Sequence, residues 1–173
     1  RNGKSIGENN IMNIFKKNGY EIVYPELLSV KDFLSKVLSA KRVIALSASS
    51  AHNAVFMKTG SELVCLNRSD HHHPLQIMIN KIRNLKVTYC DVSLNFFNPN
   101  ISNGPYNIII SKYLVIFLRM QKLKMPNKFN IILKNFKSSI EYILYYLFLG
   151  KVFRRLSTLK SRLKNCLLLK TNI

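Results

Sequence analysis

Short apolar runs alternate with amphipathic segments along the first two-thirds of the chain, and this alternation is the strongest constraint on its fold. Apolar runs of strand length occur at residues 20–24, 42–46, 62–66, 86–92 and 106–111. Helical spacing of apolar residues occurs at residues 9–17, 30–39, 74–84 and 111–122. Strands that alternate with helices form right-handed βαβ units around a parallel sheet. The pattern therefore predicts a Rossmann-like, three-layer α/β domain over residues 1–121.

The most informative strand is the continuous apolar run RVIAL at residues 42–46, which is predicted to be buried on both faces of the sheet. A turn with the sequence SASS follows, and a short helix is predicted over residues 52–57. In open α/β sheets, ligands bind beyond the carboxyl ends of strands, where small residues open the backbone and a helix N-terminus favours negative charge. Ser47, Ser49 and Ser50 are therefore candidate phosphate ligands. The alternative is a tight turn whose small residues serve packing alone.

The composition changes after Pro126. Residues 122–173 contain twelve Lys or Arg and one acid, Glu141, and residues 140–153 are strongly apolar and aromatic. We expect a basic, amphipathic helical tail over residues 122–173, since an apolar helix face flanked by basic residues suits an anionic membrane surface. The predicted membrane contacts are Arg154, Arg155, Lys160, Arg162 and Lys164. The alternative is a helix that packs on a part of the protein missing from this sequence.

The whole chain carries a net charge of +19, which indicates an anionic partner: nucleic acid, an acidic membrane or a phosphorylated substrate. Part of this charge has a simpler explanation, because 19 Lys, 19 Asn and 18 Ile against 8 Arg is the composition that an AT-rich genome imposes. No recognised nucleic-acid motif is present, which argues against nucleic acid as the partner.

Cysteine and histidine spacing gives no sign of a metal site or a disulfide framework. The three cysteines are widely spaced, without CxxC, and are predicted to be reduced thiols, with Cys65 in the core. The run DHHH at residues 70–73 is expected to be a solvated loop, because consecutive side chains diverge and no second ligand cluster exists. P-loop, dinucleotide-binding, zincin and serine-hydrolase motifs are also missing from the sequence.

A longer pattern points to a known family. The order GYEIVYPELLS, DFLSKVLSAK, RVIALSASSAHNAVF and TGSELVCLNR resembles glycosyltransferase family 61, typified by bacterial capsular-polysaccharide biosynthesis proteins. That family's pattern runs from a glycine-aromatic opening strand, through a helix ending in Ser-Ala-Lys, to a small-residue turn and a further strand after Thr-Gly-Ser. The resemblance covers residues 1–70 well and residues 71–121 loosely.

The resemblance implies the donor-binding, C-terminal half of a GT-B enzyme, which is a pair of Rossmann-like domains. It also implies inverting transfer from a nucleotide sugar to a glycan or lipid-linked acceptor, with no bound metal and no other cofactor. The general base is expected from a further domain upstream, so the sequence names no catalytic residue. The expected location is cytoplasmic, at the inner face of the plasma membrane.

Individual site residues follow from the same resemblance. Arg1, Lys4 and Glu8 correspond to the end of the family's basic opening motif, and Ser47 stands where many members have a histidine. His52 and Asn53 are then expected to supply polar groups at the turn. We expect His52 to be neutral, because a nearby helix N-terminus disfavours a cation.

Two further assignments stay open at this point. Glu62, at the start of a strand, is a candidate to bind a ribose or sugar hydroxyl, with a surface or capping role as the alternative. A different function for the whole chain is a basic module that binds nucleic acid or an anionic membrane without catalysis. The salt dependence of binding distinguishes this basic module from a glycosyltransferase, since binding to nucleic acid through phosphate charges weakens steeply as the salt concentration rises.

Overall fold

The structure is a computed structural model that describes residues 4–69, 72–97 and 104–149. Several residues named in the predictions lie outside these ranges: Arg1, Asp70, His71, Arg154, Arg155, Lys160, Arg162, Lys164 and Cys166. Strands are β1 (Ser5–Ile6), β2 (Arg42–Leu46), β3 (Glu62–Asn67), β4 (Lys86–Asp91) and β5 (Tyr106–Asn107). Helices are α1 (Glu8–Lys17), α2 (Val30–Ser39), α3 (Ser49–His52), α4 (Pro74–Ile82), α5 (Lys112–Met120) and α6 (Lys128–Leu144).

The strands form two small parallel sheets, with the orders β2-β3-β4 and β1-β5. An isolated antiparallel bridge between Ser93 and Ile108 links them. One apolar cluster packs α1 and α5 on one side of the larger sheet, and a second packs α2, α4 and the chain around α3 on the other. The predicted α/β class with parallel strands is confirmed.

Local signals account for most helix boundaries. Ser29 caps α2, and its hydroxyl oxygen accepts a hydrogen bond from the Asp32 amide at 3.1 Å. Ser111 caps α5 in the same way, and Asn127 caps α6. Gly19, with a positive φ of 82°, lies just beyond the end of α1. A left-handed glycine at this position is the usual way to stop a helix.

The strand predicted at residues 20–24 is wrong. Tyr24 has an extended backbone, but the segment pairs with no strand among the described residues. A cavity lies between this segment and β2. Ile22 and Val23 line one side of the cavity, and β2 lines the other. Strand β2 is therefore the edge of its sheet and is half-buried throughout, not buried on both faces as predicted.

Two other predicted elements differ in extent. The strand expected at residues 106–111 is only two residues long, and further along the backbone N–H and C=O of Ile110 pair with the side chain of Asn135 and not with a strand. The short helix begins at Ser49, earlier than predicted, and continues as a 3₁₀ turn at Asn53–Phe56. Ala51 and Ala54 are both buried at the three-residue spacing that a 3₁₀ turn favours.

Helix α6 confirms the helical prediction for the described part of the tail, and a π-helical turn (Tyr145–Leu149) continues it. The helix packs on β1 and β5, and Tyr142 is fully buried. How the chain divides into domains stays a prediction. Within the described ranges, no helix combines the length and apolar character needed to cross a bilayer.

Gly7 permits the close approach of α6. Its φ is 94°, and a Cβ at this position would clash with the carbonyl oxygen of Ile108 and lie 2.8 Å from Ser138 Oγ. We expect Gly7→Ala to lower the free energy of unfolding by about 3 kcal/mol or more. Gly19→Ala is the matched control: it has a similar φ but open space around it, so only about 1 kcal/mol of backbone strain is expected. Urea denaturation measures both, and equal losses would contradict the close contact.

Cys65 and Cys90 lie on neighbouring strands, and burial raises the pKa of each thiol to about 11. The unfolded chain releases these protons nearer pH 9, so the neutral thiols contribute stability that is lost as pH rises toward 11. In a Cys166→Ser variant, we expect iodoacetamide at about pH 8 to react slowly with the folded protein and quickly in urea. Fast reaction of the folded protein would show that the two thiols are not buried.

Candidate functional site

The carboxyl ends of β2 and β3 lie side by side, since Leu46 is paired in register with Leu66. The chain leaves β2 through residues 47–53, whose first amide, that of Ser47, donates to the Leu66 carbonyl at 2.9 Å. The side chains of Ser49 and Ser50 are exposed beyond this edge. The turn therefore lies where ligands bind in open α/β sheets.

The turn is held by its own backbone and by packing. Ser50 Oγ donates to the Leu46 carbonyl at 3.1 Å, and the Ala51 amide donates to Ala48 at 2.9 Å. Ala51 and Ala54 are buried against the sheet. Packing therefore explains the two alanines but not the exposed serines. Helix α3 is only one turn long, so its dipole is weak.

Arg68 was missed in the sequence analysis, although it follows β3 directly. Its Nε donates to the Ser47 carbonyl at 3.1 Å, and its guanidinium carbon lies 4.3 Å from the centroid of the Tyr106 ring. Within the part of the chain that the structure describes, its two Nη groups make no hydrogen bond. A basic residue at the end of a buried strand was the available signal. The result is a fixed cation next to the turn.

Glu8, the first residue of α1, faces the same region. Burial raises the pKa of its carboxyl group, and the positive charge of Arg68 opposes that shift. The carboxyl group is thus easier to protonate than an exposed one. The carboxylate can only accept hydrogen bonds, whereas the protonated group can also donate one.

A cavity of about 350 Å³ extends from this edge along β2. Glu8, Ser50 and Asn53 line it near the carboxyl end of β2. The remaining walls are largely apolar and come from α1, α2, β2 and the extended segment before Pro25. A cavity of this size and character is typical of small-molecule sites.

Two predicted site residues lie elsewhere. The amino group of Lys4 lies 3.7 Å from the Glu141 carboxylate and 4.6 Å from the Tyr145 ring centroid, so it is engaged with α6 and the turn after it. Glu62 begins β3, at the opposite end of the sheet from the turn, and accepts a hydrogen bond from Arg42 Nε at 2.6 Å. The structure brings together Glu8, Ser50 and Asn53, with Ser47 held by Arg68. Their role in binding stays a prediction.

His52 ends α3, and its ring lies 5.0 Å from that of His73 in an edge-to-face contact. Burial, and secondarily the charge of His73, lowers the pKa of His52. The expected neutral form is supported, but its cause is different: His52 lies at the last residue of α3, where the helix dipole would favour a cation. His73 caps α4, since its Nδ1 accepts from the Leu75 amide at 3.2 Å.

The described ranges contain no group of three or more His, Cys, Asp or Glu side chains that could hold a metal ion. His72, in the same run as His73, packs its ring 4.7 Å from that of Tyr89. The predicted independence from metal stays a prediction.

We expect His52 to titrate below 6.5 in an NMR pH titration of the histidine ring protons. As the pH falls, the unfolded chain protonates His52 before the folded protein does. Folding stability that is present above pH 6.5 is therefore lost as the pH falls through the lower pKa of His52 in the folded protein. His73→Asn keeps a capping side chain and should raise the His52 pKa only part of the way, since burial is the larger cause. His72→Asn is the control, and a His52 pKa above 6.5 in the parent protein would contradict this account.

Residues 1–64 match the family model described as Glycosyltransferase 61. Comparisons with curated proteins and with solved structures found no match. The matched stretch contains α1, α2, β2 and the whole turn after β2, so it includes most of the site described above. Over these 64 of 173 residues the chain is similar to glycosyltransferase family 61, and this similarity supports glycosyl transfer as an activity.

Proposed function

We propose that the chain is the donor-binding part of an inverting, metal-independent glycosyltransferase of bacterial capsular or surface polysaccharide synthesis. The donor is a nucleotide sugar, and its diphosphate lies at the turn formed by residues 47–53. The family match supports transferase activity in general. The finer assignment to capsular polysaccharide and to a GT-B architecture rests on the resemblance of the sequence.

The observation that carries the proposal is the position of Arg68. Its guanidinium group is held by the Ser47 carbonyl and by the Tyr106 ring, beside a turn with two exposed serine hydroxyls. A guanidinium group fixed in this way pairs well with phosphate oxygens, because little side-chain freedom is lost on binding. Arg68 therefore supplies a fixed positive charge at this turn, whereas Lys4, a basic residue predicted for the site, is engaged with Glu141.

The chemistry follows from the charges at this edge. The acceptor hydroxyl attacks the anomeric carbon of the sugar from the face opposite the diphosphate, so one C–O bond forms as the bond to the diphosphate breaks. The hydroxyl proton leaves to a general base, and negative charge develops on the departing nucleoside diphosphate. A preorganised cation stabilises that charge.

The cavity beside β2 gives the rest of the donor a place to bind. Its polar end, with Glu8, Ser50 and Asn53, is continuous with the turn, so a sugar or ribose hydroxyl can reach the Glu8 carboxyl group. The Glu8 carboxyl group can accept a hydrogen bond from such a hydroxyl, and in its protonated form it can also donate one.

Calorimetric titration of the full chain with UDP, GDP and dTDP tests the proposal. We expect Arg68→Ala to weaken binding of the preferred nucleotide by about tenfold or more, which is about 1.4 kcal/mol. Arg119→Ala removes the same charge from an exposed site on α5 and should leave the affinity unchanged. Ser50→Asp should weaken binding similarly, because its carboxylate would repel the diphosphate.

Ser39→Asp is the matched control for Ser50→Asp, since Ser39 is also exposed and its hydroxyl also donates to a backbone carbonyl at 3.1 Å. Equal affinities in Arg68→Ala, Ser50→Asp and the parent protein would remove this edge from the mechanism. A steep fall of affinity for RNA or DNA with salt, together with no nucleotide binding, would favour the basic binding module.

A further inference from the structure

Helix α6 is amphipathic, but its apolar side faces solvent, whereas a helix packed on a core buries that side. Its exposed side is apolar, and we call it the α6 stripe: Phe129, Ile132, Leu133, Phe136, Ile140 and Leu144. Phe129 and Phe136 are 72% and 64% exposed. Surface helices normally turn such a face toward the core. A helix of this length carries the stripe over about 25 Å.

The side of α6 that faces the protein is largely polar. Asn135 exchanges two hydrogen bonds with the Ile110 backbone, at 2.8 and 3.0 Å. Ser138 Oγ accepts from Asn10 Nδ2 at 3.0 Å, and Ser139 Oγ accepts from Asn107 Nδ2 at 3.0 Å. These directional contacts fix the rotation of the helix about its axis. The stripe therefore cannot turn inward without breaking them.

Basic side chains border the stripe. Lys128 and Lys137 are nine residues apart, which places them about 180° from each other around the helix. The stripe residues fall in the half-turn between them. The only acid in residues 122–149 is Glu141, which pairs with Lys4 at 3.7 Å. The surface around the stripe is therefore cationic.

This charge distinguishes between the surfaces that can cover the stripe. A second copy of the chain would bring another +19 charge and another row of lysines against the first. An anionic bilayer supplies both an apolar layer and the opposite charge, which is the pairing that interfacial helices use. Phenylalanine and leucine side chains with flanking lysines are typical of such helices.

We propose that the α6 stripe is a membrane-binding surface, which places α6 flat in the headgroup region of an anionic bilayer. The proposal rests on residues 128–144 and does not depend on the proposed transferase activity or on residues 150–173. It differs from the contacts expected from the sequence alone, which began at residue 140 and relied on arginines and lysines beyond residue 150.

The test is co-sedimentation of the full chain with vesicles of phosphatidylcholine alone or mixed equally with phosphatidylglycerol. Deletion of the tail from residue 126 is unsuitable, because it removes the buried Tyr142 and the contacts to Ile110. The variant is instead Ile132→Ser/Leu133→Ser, at side chains that are 59% and 53% exposed. Its matched control is Ile82→Ser/Leu27→Ser, which removes the same atoms from positions that are 67% and 77% exposed.

We expect the stripe variant to lose about tenfold or more in partition onto mixed vesicles, and the control to bind like the parent. Lys128→Gln/Lys137→Gln should weaken binding to mixed vesicles only, and added salt should reduce binding of the parent protein. Parent binding to neutral vesicles should be much weaker than to mixed vesicles.

Three results would overturn the proposal. Equal partition of the stripe variant and its control would show that the stripe does not contact lipid. A change of oligomeric state in the stripe variant by light scattering, without a change in vesicle binding, would assign the stripe to a second copy. A fall in thermal stability in that variant but not in the control, again with unchanged vesicle binding, would assign it to contacts within the chain.

Discussion

The parallel pairing of β2 with β3 is the interaction on which the rest of the structure depends. Parallel pairing in register brings the ends of both strands to one edge, so the turn after Leu46 and the side chain of Arg68 become neighbours. The crossover between the strands contains α3 and the 3₁₀ turn, and its buried alanines hold it on the sheet. A small shift in register would separate the serine hydroxyls from the guanidinium group.

The other organising contact is the polar attachment of α6. The side chain of Asn135 makes the two hydrogen bonds with the Ile110 backbone that a neighbouring strand would otherwise make. Gly7 leaves room for Ser138 beside β1. Buried backbone groups must be paired, so these contacts are costly to break. The same contacts leave the apolar side of α6 exposed. The stability of the fold and the proposed membrane surface therefore have one structural origin.

Local sequence signals predicted most elements and part of the site. Helix α2 was predicted with both bounds, because the apolar spacing and the cap at Ser29 act within a few residues. The turn after β2 was found as a candidate site, and the family match includes it. Arg68 and the engagement of Lys4 with Glu141 were not found, because both depend on contacts between distant parts of the chain.

The sequence by itself determined which segments are helical, which are extended, and where the small-residue turn lies, since these properties depend on neighbouring residues. Only the tertiary structure decided that residues 20–24 stay apart from β2 and leave a cavity. It also decided which side of α6 faces the protein, through contacts such as the one between Asn10 and Ser138, 128 positions apart. The spacing of apolar residues predicts that a helix has an apolar and a polar face. Which of the two faces is buried depends on the contacts that the tertiary structure provides.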